Sequence, residues 1–386
     1  MYLISKKFHT LKKNHYKFDV LIIGAGPVGC VLAERLANKN NLSCLIIDKR
    51  NHIAGNCYDE LNSKGLLYHK YGPHYLRFKN KRTFYYMSKF TKWIKGSYVV
   101  KSIIDKKKYP FPINIRTLEI FFKKKFSSKK KLLNFLDTKK IKISNPKNSE
   151  EFIISKLGYE IYNKFYKNYT IKQWGLHPKD LPKEIVGRVP IRFNRNNSYV
   201  NEKIKVMPKH GFTSMFNNML KNKKISIKLN SDFKKIRNAF KPNILTIYTG
   251  CPDEYFNFKY GKLGWRSLKF KFENYKKKFI QDCVQYNYPN DNKFTRSVEI
   301  KHVTKQKSKY TVISKEFPKS KGDPYYPIST KINLVKFKKY QKLIKQEEKK
   351  NKVFFEGRLA SYKYLNTDQV IEKALELHKR IERTIL

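Results

Sequence analysis

Three glycines and one aspartate have the types and the spacing to bind a phosphate-bearing ligand. Gly24, Gly26 and Gly29 form a G-x-G-x-x-G pattern, and Asp48 ends the next apolar run. Glycines at this spacing allow a tight turn, a close backbone approach to a pyrophosphate and close packing of the following helix on its strand. An acid roughly 20 residues further on accepts hydrogen bonds from a ribose. These residues therefore predict a site for the adenosine half of a dinucleotide.

The segments around these residues have the patterns of the elements that such a site needs. Residues 21–23 and 45–47 are short apolar runs that predict buried strands, and residues 28–37 predict the helix after the glycine turn. The amino terminus of that helix presents free N–H groups to an anion. Flavin and nicotinamide enzymes share this arrangement, so the pattern alone leaves the identity of the dinucleotide open.

Further motifs follow the glycine pattern in an order that points to one family. Residues 49–56 (KRNHIAGN) continue from the strand that ends in the acid, and residues 69–74 (HKYGPH) come close behind. The later motifs are residues 169–175, 188–194, 207–213, 248–250, 253–256, 261–268, 325–327 and 357–364. With these motifs, which extend from about residue 18 to residue 380, the chain resembles the UDP-galactopyranose mutase family.

The resemblance implies an α/β fold in which three domains interleave along the chain. A Rossmann-like FAD-binding domain is expected to be discontinuous, a helical domain is inserted in it, and an antiparallel sheet domain contacts the substrate. The expected ranges are residues 18–78, 206–250 and 320–386 for the FAD-binding domain, 79–167 for the helical domain, and 168–205 and 251–319 for the sheet domain. Residues 1–17 form a basic extension.

The local patterns of the chain are consistent with these three kinds of domain. Helical periodicity predicts helices over residues 118–126 and 150–166, and residues 368–386 predict a last helix. Residues 109–112 (YPFP) predict a turn between elements of the helical domain. Short β-rich runs at residues 244–248 and 310–313 alternate with turn residues and predict strands of an antiparallel sheet.

The resemblance also implies a chemistry, which is the ring contraction of UDP-galactopyranose to UDP-galactofuranose with no net redox change. FAD must nevertheless be reduced, because its N5 then attacks the anomeric carbon as UDP departs and forms a covalent flavin–sugar adduct. A reductant such as NAD(P)H keeps the flavin active, and the furanose is used in cell-surface glycans. No protein nucleophile is needed, which agrees with a chain that shows no convincing Ser/His/Asp or Cys/His arrangement.

The family motifs assign expected roles to individual residues of this chain. Arg192 and Arg296 match arginines that bind the diphosphate, Tyr326 and Tyr364 match tyrosines that donate to it, and His74 matches a histidine near the flavin. We expect Arg192, Arg296 and His74 to be catalytic. The expected substrate-binding residues are Phe165, Tyr166, Tyr169, Thr170, Trp174, Tyr199, Arg266, Tyr326, Tyr364 and Arg77. The expected cofactor-binding residues are Gly24, Gly26, Gly29, Asp48, Lys49, Asn56, His74, Arg358 and Asp368.

Three positions depart from the usual family pattern. Arg77 stands where family members commonly have a second histidine, and relatives that accept the N-acetylated sugar have an arginine there. Ile204 stands in place of a tyrosine that can reach a phosphate, so one phosphate contact is expected to be missing. Ala54 replaces a glycine, a change that requires only a negative φ at this position.

The charge of the chain is high but is spread along its whole length. Lysine and arginine number 85 against 30 acidic residues, for a formal net charge of +55. Only 14 of the basic residues are arginines, and 71 are lysines. We interpret the lysines as a solvated surface and expect no specific nucleic-acid partner. A net charge of this size nevertheless predicts weak, nonspecific binding of polyanions at low salt.

Half of the arginines fall in or beside the family motifs, where the planar guanidinium can bind a phosphate through two parallel hydrogen bonds. These seven are Arg50, Arg77, Arg188, Arg192, Arg266, Arg296 and Arg358. Pairing with an acid is an equally weighted interpretation for Arg50 and Arg188.

The cysteines and the apolar runs bear on the surroundings in which the protein works. Five cysteines form no CxxC pair and no metal-ligand spacing, so we expect reduced thiols, no metal and a cytoplasmic location. No apolar run approaches the length of a membrane span, and residues 1–17 lack the apolar core of a secretory signal. Bacterial relatives are often dimers, so a homodimer is an open expectation.

Three other functions remain open at the level of the sequence. The chain is also consistent with a mutase for UDP-N-acetylgalactosamine or another UDP-pyranose. An amine-oxidase-like flavin oxidoreductase is the second alternative, and its turnover would consume an electron acceptor. A catalytically silent binder of nucleotide sugars or polyanions is the third, and such a protein would purify without flavin.

We expect Arg77→His to change the ratio of kcat/KM for UDP-galactose and its N-acetylated analogue. Histidine removes a fixed positive charge that the family pattern places close to the sugar and the β-phosphate. The measurement is the rate of furanose-to-pyranose conversion for each sugar with both proteins. An unchanged ratio would contradict a role of Arg77 in sugar specificity.

Overall fold

The computed structural model describes residues 17–96 and 98–385 of the chain. Apart from Lys17, the predicted basic extension lies outside the described residues. In the described part the strands are, in chain order, β1 (Val20–Ile23), β2 (Cys44–Ile47), β3 (Asp59–Leu61), β4 (Leu67–His69), β5 (Leu76–Phe78), β6 (Trp93–Lys95), β7 (Val100–Ile104), β8 (Lys107–Phe111), β9 (Ile204–Pro208), β10 (Ile225–Lys228), β11 (Leu245–Tyr248), β12 (Trp265–Tyr275), β13 (Gln285–Asn287), β14 (Arg296–Val298), β15 (Thr311–Lys319), β16 (Tyr326–Pro327) and β17 (Val353–Phe355).

The helices begin with the one that was predicted after the glycine turn. In the described part they are α1 (Pro27–Lys39), α2 (Lys81–Ser88), α3 (Ile115–Phe122), α4 (Lys129–Asp137), α5 (Ser149–Ile161), α6 (Asn168–Trp174), α7 (Glu184–Gly187), α8 (Gly211–Met219), α9 (Phe233–Ile236), α10 (Pro252–Tyr255), α11 (Lys301–Thr304), α12 (Lys331–Asn351) and α13 (Thr367–Thr384). One π-helical turn, Tyr162–Lys167, joins α5 to α6. None of the described helices is long and apolar enough to cross a membrane.

A five-stranded parallel sheet forms the dinucleotide-binding half of the fold. Its strand order is β10-β2-β1-β11-β17, and every pair is parallel. Because side chains alternate along a strand, Val20 and Ile22 point to the face covered by α1, whereas Leu21 and Ile23 pack with Tyr255 on the opposite face. All four residues of β1 and of β2 are buried, as expected for a parallel sheet covered on both sides.

A second sheet of seven strands lies beside the first and is mostly antiparallel. Its order is β16-β12-β15-β14-β13-β7-β8, and β12 pairs with β15 from Ser267 opposite Lys319 to Tyr275 opposite Thr311. The observed fold therefore combines a Rossmann-like α/β domain with an antiparallel sheet, as the sequence predicted. The division of the chain into three domains stays a proposal.

The structure corrects two of the local predictions in this region. Residues 109–112 were expected to form a turn, but β8 includes Tyr109 to Phe111, and β7 and β8 bring a hairpin of the second sheet into the range predicted to be helical. Pro110 is compatible with a strand because β8 lies at the edge of the sheet, where a missing N–H breaks no ladder. The run at residues 244–248 was expected in the antiparallel sheet, but β11 pairs with β1 in the parallel sheet.

The prediction for Ala54 is also wrong. Its φ is +71°, in the left-handed region that favours glycine. The chain must turn sharply here because the next residue, Gly55, packs against Gly26, where an added Cβ on Gly55 would lie 2.9 Å from the Cα of Gly26. Ala54 therefore has a backbone conformation that favours glycine, although the residue is an alanine.

Helix α5 bends at a glycine that no other residue can replace without strain. Gly158 has φ +80° and ψ 172°, and an added Cβ would lie 2.4 Å from the carbonyl oxygen of Lys139. This backbone region is essentially restricted to glycine. The bend lets the π-helical turn and α6 continue toward the second sheet.

We expect Gly158→Ala to lower the free energy of unfolding by about 1–3 kcal/mol, since the alanine would be strained and would collide with Lys139. Thermal denaturation of both proteins measures the effect. Gly187→Ala in α7 is the matched control, because its added Cβ meets only Phe152 at 3.5 Å and alanine favours the helix. Equal melting temperatures for Gly158→Ala and Gly187→Ala would contradict the strain at Gly158.

Candidate active site

The glycine turn after β1 is closed so tightly that side chains are excluded. Gly24 has φ +108°, and an added Cβ would lie 1.9 Å from Oγ1 of Thr249. An added Cβ on Gly29 would lie 2.0 Å from the carbonyl oxygen of Gly24. The turn leads into α1 at Gly26, where no side chain caps the helix. The first N–H groups of α1 therefore remain available for an anion.

A first cavity of about 1360 Å³, open to solvent, extends from this turn along the carboxyl ends of the parallel strands. Each of four strands contributes the residues that follow it. These residues are Gly24 and Gly26 after β1, Asp48 and Lys49 after β2, Thr249 and Gly250 after β11, and Gly357 and Arg358 after β17. Ligands of open α/β sheets bind at this edge.

The carboxylate of Asp48, which follows β2, links this strand to the glycine turn after β1. Its Oδ2 accepts the N–H of Ala25 at 2.7 Å, and its Oδ1 accepts the N–H of Arg50 at 2.8 Å. Each carboxylate oxygen has a second lone pair, so Asp48 can still accept a hydroxyl of a ligand. Arg50 then donates to Oδ1 of Asn56 at 2.9 Å, at the wall between this cavity and the next.

A second cavity of about 590 Å³ adjoins the first and shares part of its wall. Asn56, His74, Arg358 and Thr367 line both cavities. The other residues of the second cavity include Arg296, Glu316, Tyr325, Tyr326 and Tyr364. One end of a ligand that fills the first cavity would therefore contact residues that also line the second cavity.

His74 is an uncharged side chain at this shared wall. Burial, the neighbouring His69 and the cation of Arg358 lower the pKa of His74 to about 3. Its Nδ1 lies 2.9 Å from the carbonyl oxygen of Gly72, and a neutral ring bonds to a carbonyl only by donating. The proton is therefore on Nδ1, and Nε2 carries the lone pair that can accept a hydrogen bond.

His69 and Asp59 support His74 from behind. The N–H of His74 donates to Nδ1 of His69 at 2.9 Å, and Nε2 of His69 lies 3.9 Å from Oδ2 of Asp59. Burial lowers the pKa of His69 to about 3, so this ring also stays neutral. Asp59 in turn accepts the N–H of Phe212 at 2.6 Å and of Thr213 at 2.9 Å, at the start of α8. The loop that carries His74 is thus tied to α8.

A buried ion pair of Arg296 and Glu316 forms another wall of the second cavity. The two residues lie opposite each other on β14 and β15, and NH2 of Arg296 is 3.0 Å from Oε1 of Glu316. Burial disfavours the charged guanidinium, but the carboxylate of Glu316 and the neighbouring tyrosines together outweigh it and raise the pKa of Arg296. Burial raises the pKa of Glu316, and Arg296 opposes this rise. Nε of Arg296 has no partner among the described residues.

Two tyrosines and two further arginines lie across this cavity. The rings of Tyr326 and Tyr364 stack with centroids 5.0 Å apart, and the guanidinium carbon of Arg188 lies 3.3 Å from the centroid of Tyr364. Arg358 donates to the carbonyl of Leu365 through Nε at 3.1 Å and NH2 at 2.6 Å, beside the same ring. Burial favours the neutral phenol, but Arg188, Arg358 and Arg296 outweigh it and lower the pKa of Tyr364 to about 8.

The structure brings most of the predicted cofactor and phosphate residues together. Those that line the first cavity are Gly24, Gly26, Asp48, Lys49, Asn56, His74 and Arg358. Those that line the second are Asn56, His74, Arg296, Tyr326, Arg358 and Tyr364. Trp174 lies next to them, with its ring 5.8 Å from that of Tyr326. Tyr169 is close enough to Arg296 that the cation opposes the rise in tyrosine pKa caused by burial.

Four other predicted substrate residues pack into the protein interior. Phe165 contacts Tyr109 and Phe121, and Tyr166 contacts Phe111, all within the main hydrophobic core. Thr170 is also buried, and Tyr199 packs against Tyr98 and Phe111. None of the four lines either cavity in the described part of the chain. Their predicted role in binding stays a prediction.

Arg192 and Arg266 also point away from the cavities. Arg192 donates to Oδ1 of Asn201 at 2.7 Å and to the carbonyl of Ser198 at 2.8 Å, so its guanidinium is held by its own loop. Arg266 donates to the carbonyls of Gln173 at 3.0 Å and Lys172 at 3.2 Å, at the carboxyl terminus of α6. Cations stabilise helix ends of this kind.

Arg77 lies near the acidic residues Asp368 and Glu202. Nε of Arg77 is 4.0 Å from Oε1 of Glu202. Burial raises the pKa of Asp368 to about 6, and the cation of Arg77 opposes this rise. Neither Arg77 nor Asp368 lines a cavity in the described part of the chain. Ile204, the other unusual position, pairs with Phe78 at the start of β9.

Glu316 and the stacking of Arg188 are the main features that the sequence did not reveal. Glu316 stands in no motif, and only the pairing of β14 with β15 brings it to Arg296. Arg188 was noticed because it is an arginine in a lysine-rich chain, but nothing in the sequence indicated that it stacks on Tyr364. Among the described residues no group of three or more His, Cys, Asp or Glu could hold a metal ion.

Comparisons with known proteins agree on one family. The family model described as UDP-galactopyranose mutase matches residues 164–364, and one described as NAD(P)-binding Rossmann-like domain matches residues 22–90. A probable UDP-galactopyranose mutase of Klebsiella pneumoniae is 33% identical over 364 residues, which are 93% of each chain. A dTDP-fucopyranose mutase of Escherichia coli is 32% identical over 370 residues, which are 92% of this chain and 96% of the relative.

A solved structure supports the same assignment at the level of the fold. The structure described as reduced UDP-galactopyranose mutase superposes with a TM-score of 0.76 and covers 95% of this chain and 96% of that chain. The aligned residues are only 15% identical, so this likeness establishes the fold alone.

We expect Tyr364 to lose its proton near pH 8, well before an ordinary tyrosine, because three arginines surround it. The ultraviolet difference absorbance of tyrosinate during a pH titration measures this. Because the folded-state pKa lies below the ordinary value of 10.0, ionisation adds stability progressively as the pH rises from about 8 to 10. Tyr364→Phe should remove the early step, and a step that persists in Tyr364→Phe would contradict the assignment.

Proposed function

Because the chain belongs to the UDP-galactopyranose mutase family, we propose that it interconverts UDP-galactopyranose and UDP-galactofuranose. The furanose form would then enter cell-surface glycans. The observation that carries this proposal is the junction of the two cavities, where Arg296, Tyr326 and Tyr364 adjoin the end of the dinucleotide cavity. Cationic and phenolic donors are the groups that bind a diphosphate.

We propose FAD as the cofactor of the first cavity, because the chain belongs to a family of flavin-dependent mutases. The uncapped start of α1 suits a pyrophosphate, and Asp48 lies where it can accept from the adenosine ribose. Lys49, Asn56 and Arg358 line the remainder of the cavity, which reaches the second cavity at His74. When bound and reduced, FAD would supply an electron-rich N5 as the nucleophile toward the anomeric carbon of the sugar. A reductant such as NAD(P)H would keep it in that state.

The charged residues of the second cavity have the task of stabilising the departing diphosphate. Arg296 and Arg358 present fixed positive charge at the wall of the cavity, and preorganised charge of this kind stabilises a departing anion. The hydroxyls of Tyr326 and Tyr364 add donors that carry no charge of their own. Glu316 holds Arg296 in place without neutralising the whole guanidinium face, since its Nε remains unpartnered among the described residues.

His74 and Arg192 have tasks that follow from their hydrogen bonds. His74 keeps its proton on Nδ1, so Nε2 accepts from a ligand N–H or hydroxyl and does not add charge to the site. Arg192 reaches a diphosphate only if it exchanges its contacts with Asn201, Ser198 and Val200 for ligand oxygens. This exchange requires the loop around Arg192 to move.

A mutase with another sugar nucleotide is the second candidate. The relative named dTDP-fucopyranose mutase is nearly as similar to this chain as the relative named probable UDP-galactopyranose mutase. The sugar could therefore be galactose, N-acetylgalactosamine or another pyranose. Arg77 lies beside Glu202 and Asp368, so one cation and two acidic side chains are grouped at this position.

The test is product analysis by HPLC with purified protein, UDP-galactofuranose or its N-acetylated analogue, and dithionite. We expect conversion to the pyranose only under reducing conditions. Arg296→Lys should lower kcat by about 10- to 100-fold, because lysine keeps the charge but loses the planar fork. Arg82→Lys on the exposed face of α2 is the control and should retain the wild-type rate.

Two results would contradict the proposed function. Equal conversion with and without dithionite would exclude a requirement for reduced flavin. Consumption of an electron acceptor in step with turnover would instead support the amine-oxidase-like alternative, since a ring contraction has no net redox change. Conversion of the N-acetylated sugar alone would support the second candidate.

A further inference from the structure

Lys172 on α6 is an ammonium group that three backbone carbonyls surround. Its Nζ donates to the carbonyls of Tyr288, Asn292 at 2.8 Å and Phe294 at 3.5 Å. An ammonium has three N–H donors and no acceptor, so three carbonyls satisfy it completely. Its side chain is partly buried.

The three carbonyls belong to one loop, which connects β13 to β14. Residues 288–295 form this connection, and Arg296 is the first residue of β14. Asn168, at the start of α6, adds a hydrogen bond to Oδ1 of Asn290 at 3.0 Å. The loop is therefore attached to α6 at both ends of the helix, and its last residues lead directly to the guanidinium in the second cavity.

The same helix carries two aromatic residues that lie beside residues of the second cavity. Tyr169 lies near Arg296, and Trp174 packs against Tyr326. Lys172 thus joins the segment that presents Arg296 to the segment that presents two aromatic side chains. We propose that Lys172 is a positioning residue, which holds Arg296, a residue of the second cavity, at a fixed distance from Tyr169 and Trp174. This inference rests on the proposed function of that cavity.

The attachment of the loop depends on pH, because Lys172 has three N–H donors when protonated and two when neutral. Burial lowers the pKa of Lys172 to about 8, and the nearby carboxylate of Asp291 on the loop opposes this change. Arg266 of β12 donates to the backbone carbonyl of Lys172 at 3.2 Å. A neutral amine has two donors and one lone pair, so above this pKa one carbonyl of the loop loses its donor.

Lys301 provides a matched control within the same chain. Its Nζ also donates to three carbonyls, those of Lys278 at 2.8 Å, Ser308 at 2.6 Å and Tyr310 at 2.7 Å. Lys301 lies on α11 and lines neither cavity in the described part of the chain. Removing its ammonium costs the same kind of hydrogen bonds without touching the segment between α6 and Arg296.

The experiment compares Lys172→Met, Lys172→Arg and Lys301→Met with the wild-type flavoprotein in the HPLC assay under dithionite. We expect Lys172→Met to lower kcat by about 10- to 100-fold, with a smaller change in KM, because a small misplacement of a group that acts in the transition state is costly. Lys301→Met should keep the wild-type kcat. Both methionine variants should retain FAD and lose a similar amount of thermal stability.

Lys172→Arg supplies a readout that a purely structural role would not change. Because Tyr364 is also expected to lose its proton near pH 8, the pH profiles are compared in proteins that carry Tyr364→Phe. In that background, kcat of the protein with Lys172 is expected to fall as the pH rises through about 8, the pKa of Lys172. The guanidinium stays charged, so Lys172→Arg should shift this fall to higher pH. A fall at the same pH in Lys172→Arg would assign the titration to another group and overturn the pH dependence.

The outcomes separate this inference from the proposed function. If wild type converts the sugar and Lys172→Met does so equally well, Lys172 does not position Arg296. An equal loss of kcat in Lys172→Met and Lys301→Met would show a general effect on stability and would also overturn the inference. If wild type converts no sugar nucleotide, the proposed function fails, and calorimetric titration with UDP then decides: unchanged affinity in Lys172→Met overturns the positioning role as well.

Discussion

An arginine proposed to neutralise a leaving diphosphate must be held inside the protein, but its acidic partner must not occupy all of its hydrogen-bond donors. The buried pair of Arg296 and Glu316 meets this constraint, since the carboxylate faces one edge of the guanidinium and Nε is left unpartnered among the described residues. A low dielectric strengthens the attraction and makes an unpaired charge costly. The register between β14 and β15 therefore has to place Glu316 opposite Arg296, and the rest of the cavity is arranged around that pair.

The two cavities depend on two different sheets. The first is built from the carboxyl ends of parallel strands, and the second lies at strands β14 to β16 of the mostly antiparallel sheet. Asn56, His74 and Arg358 belong to both walls, so ligands in the two cavities would meet there. Each sheet draws its strands from distant segments of the chain.

The high content of lysine conceals a few lysines with structural tasks. Most of the 71 lysines add charge to the surface, where a compact ammonium is well hydrated. Lys172 and Lys301 instead direct their ammonium groups at three carbonyls each and attach a loop to a helix. Composition treats all of these residues alike, and only the surrounding carbonyls distinguish them.

The sequence by itself determined the dinucleotide half of the protein and its family. The glycine turn, β1, α1 and the strand ending in Asp48 follow from local patterns, since each depends on neighbours within a few residues. Tertiary structure decided the rest. A motif specifies which type of residue occupies a position, but packing sets the direction in which its side chain points. Hence Phe165 entered the core, Arg266 turned to the end of α6, and Glu316 met Arg296 through strand pairing alone.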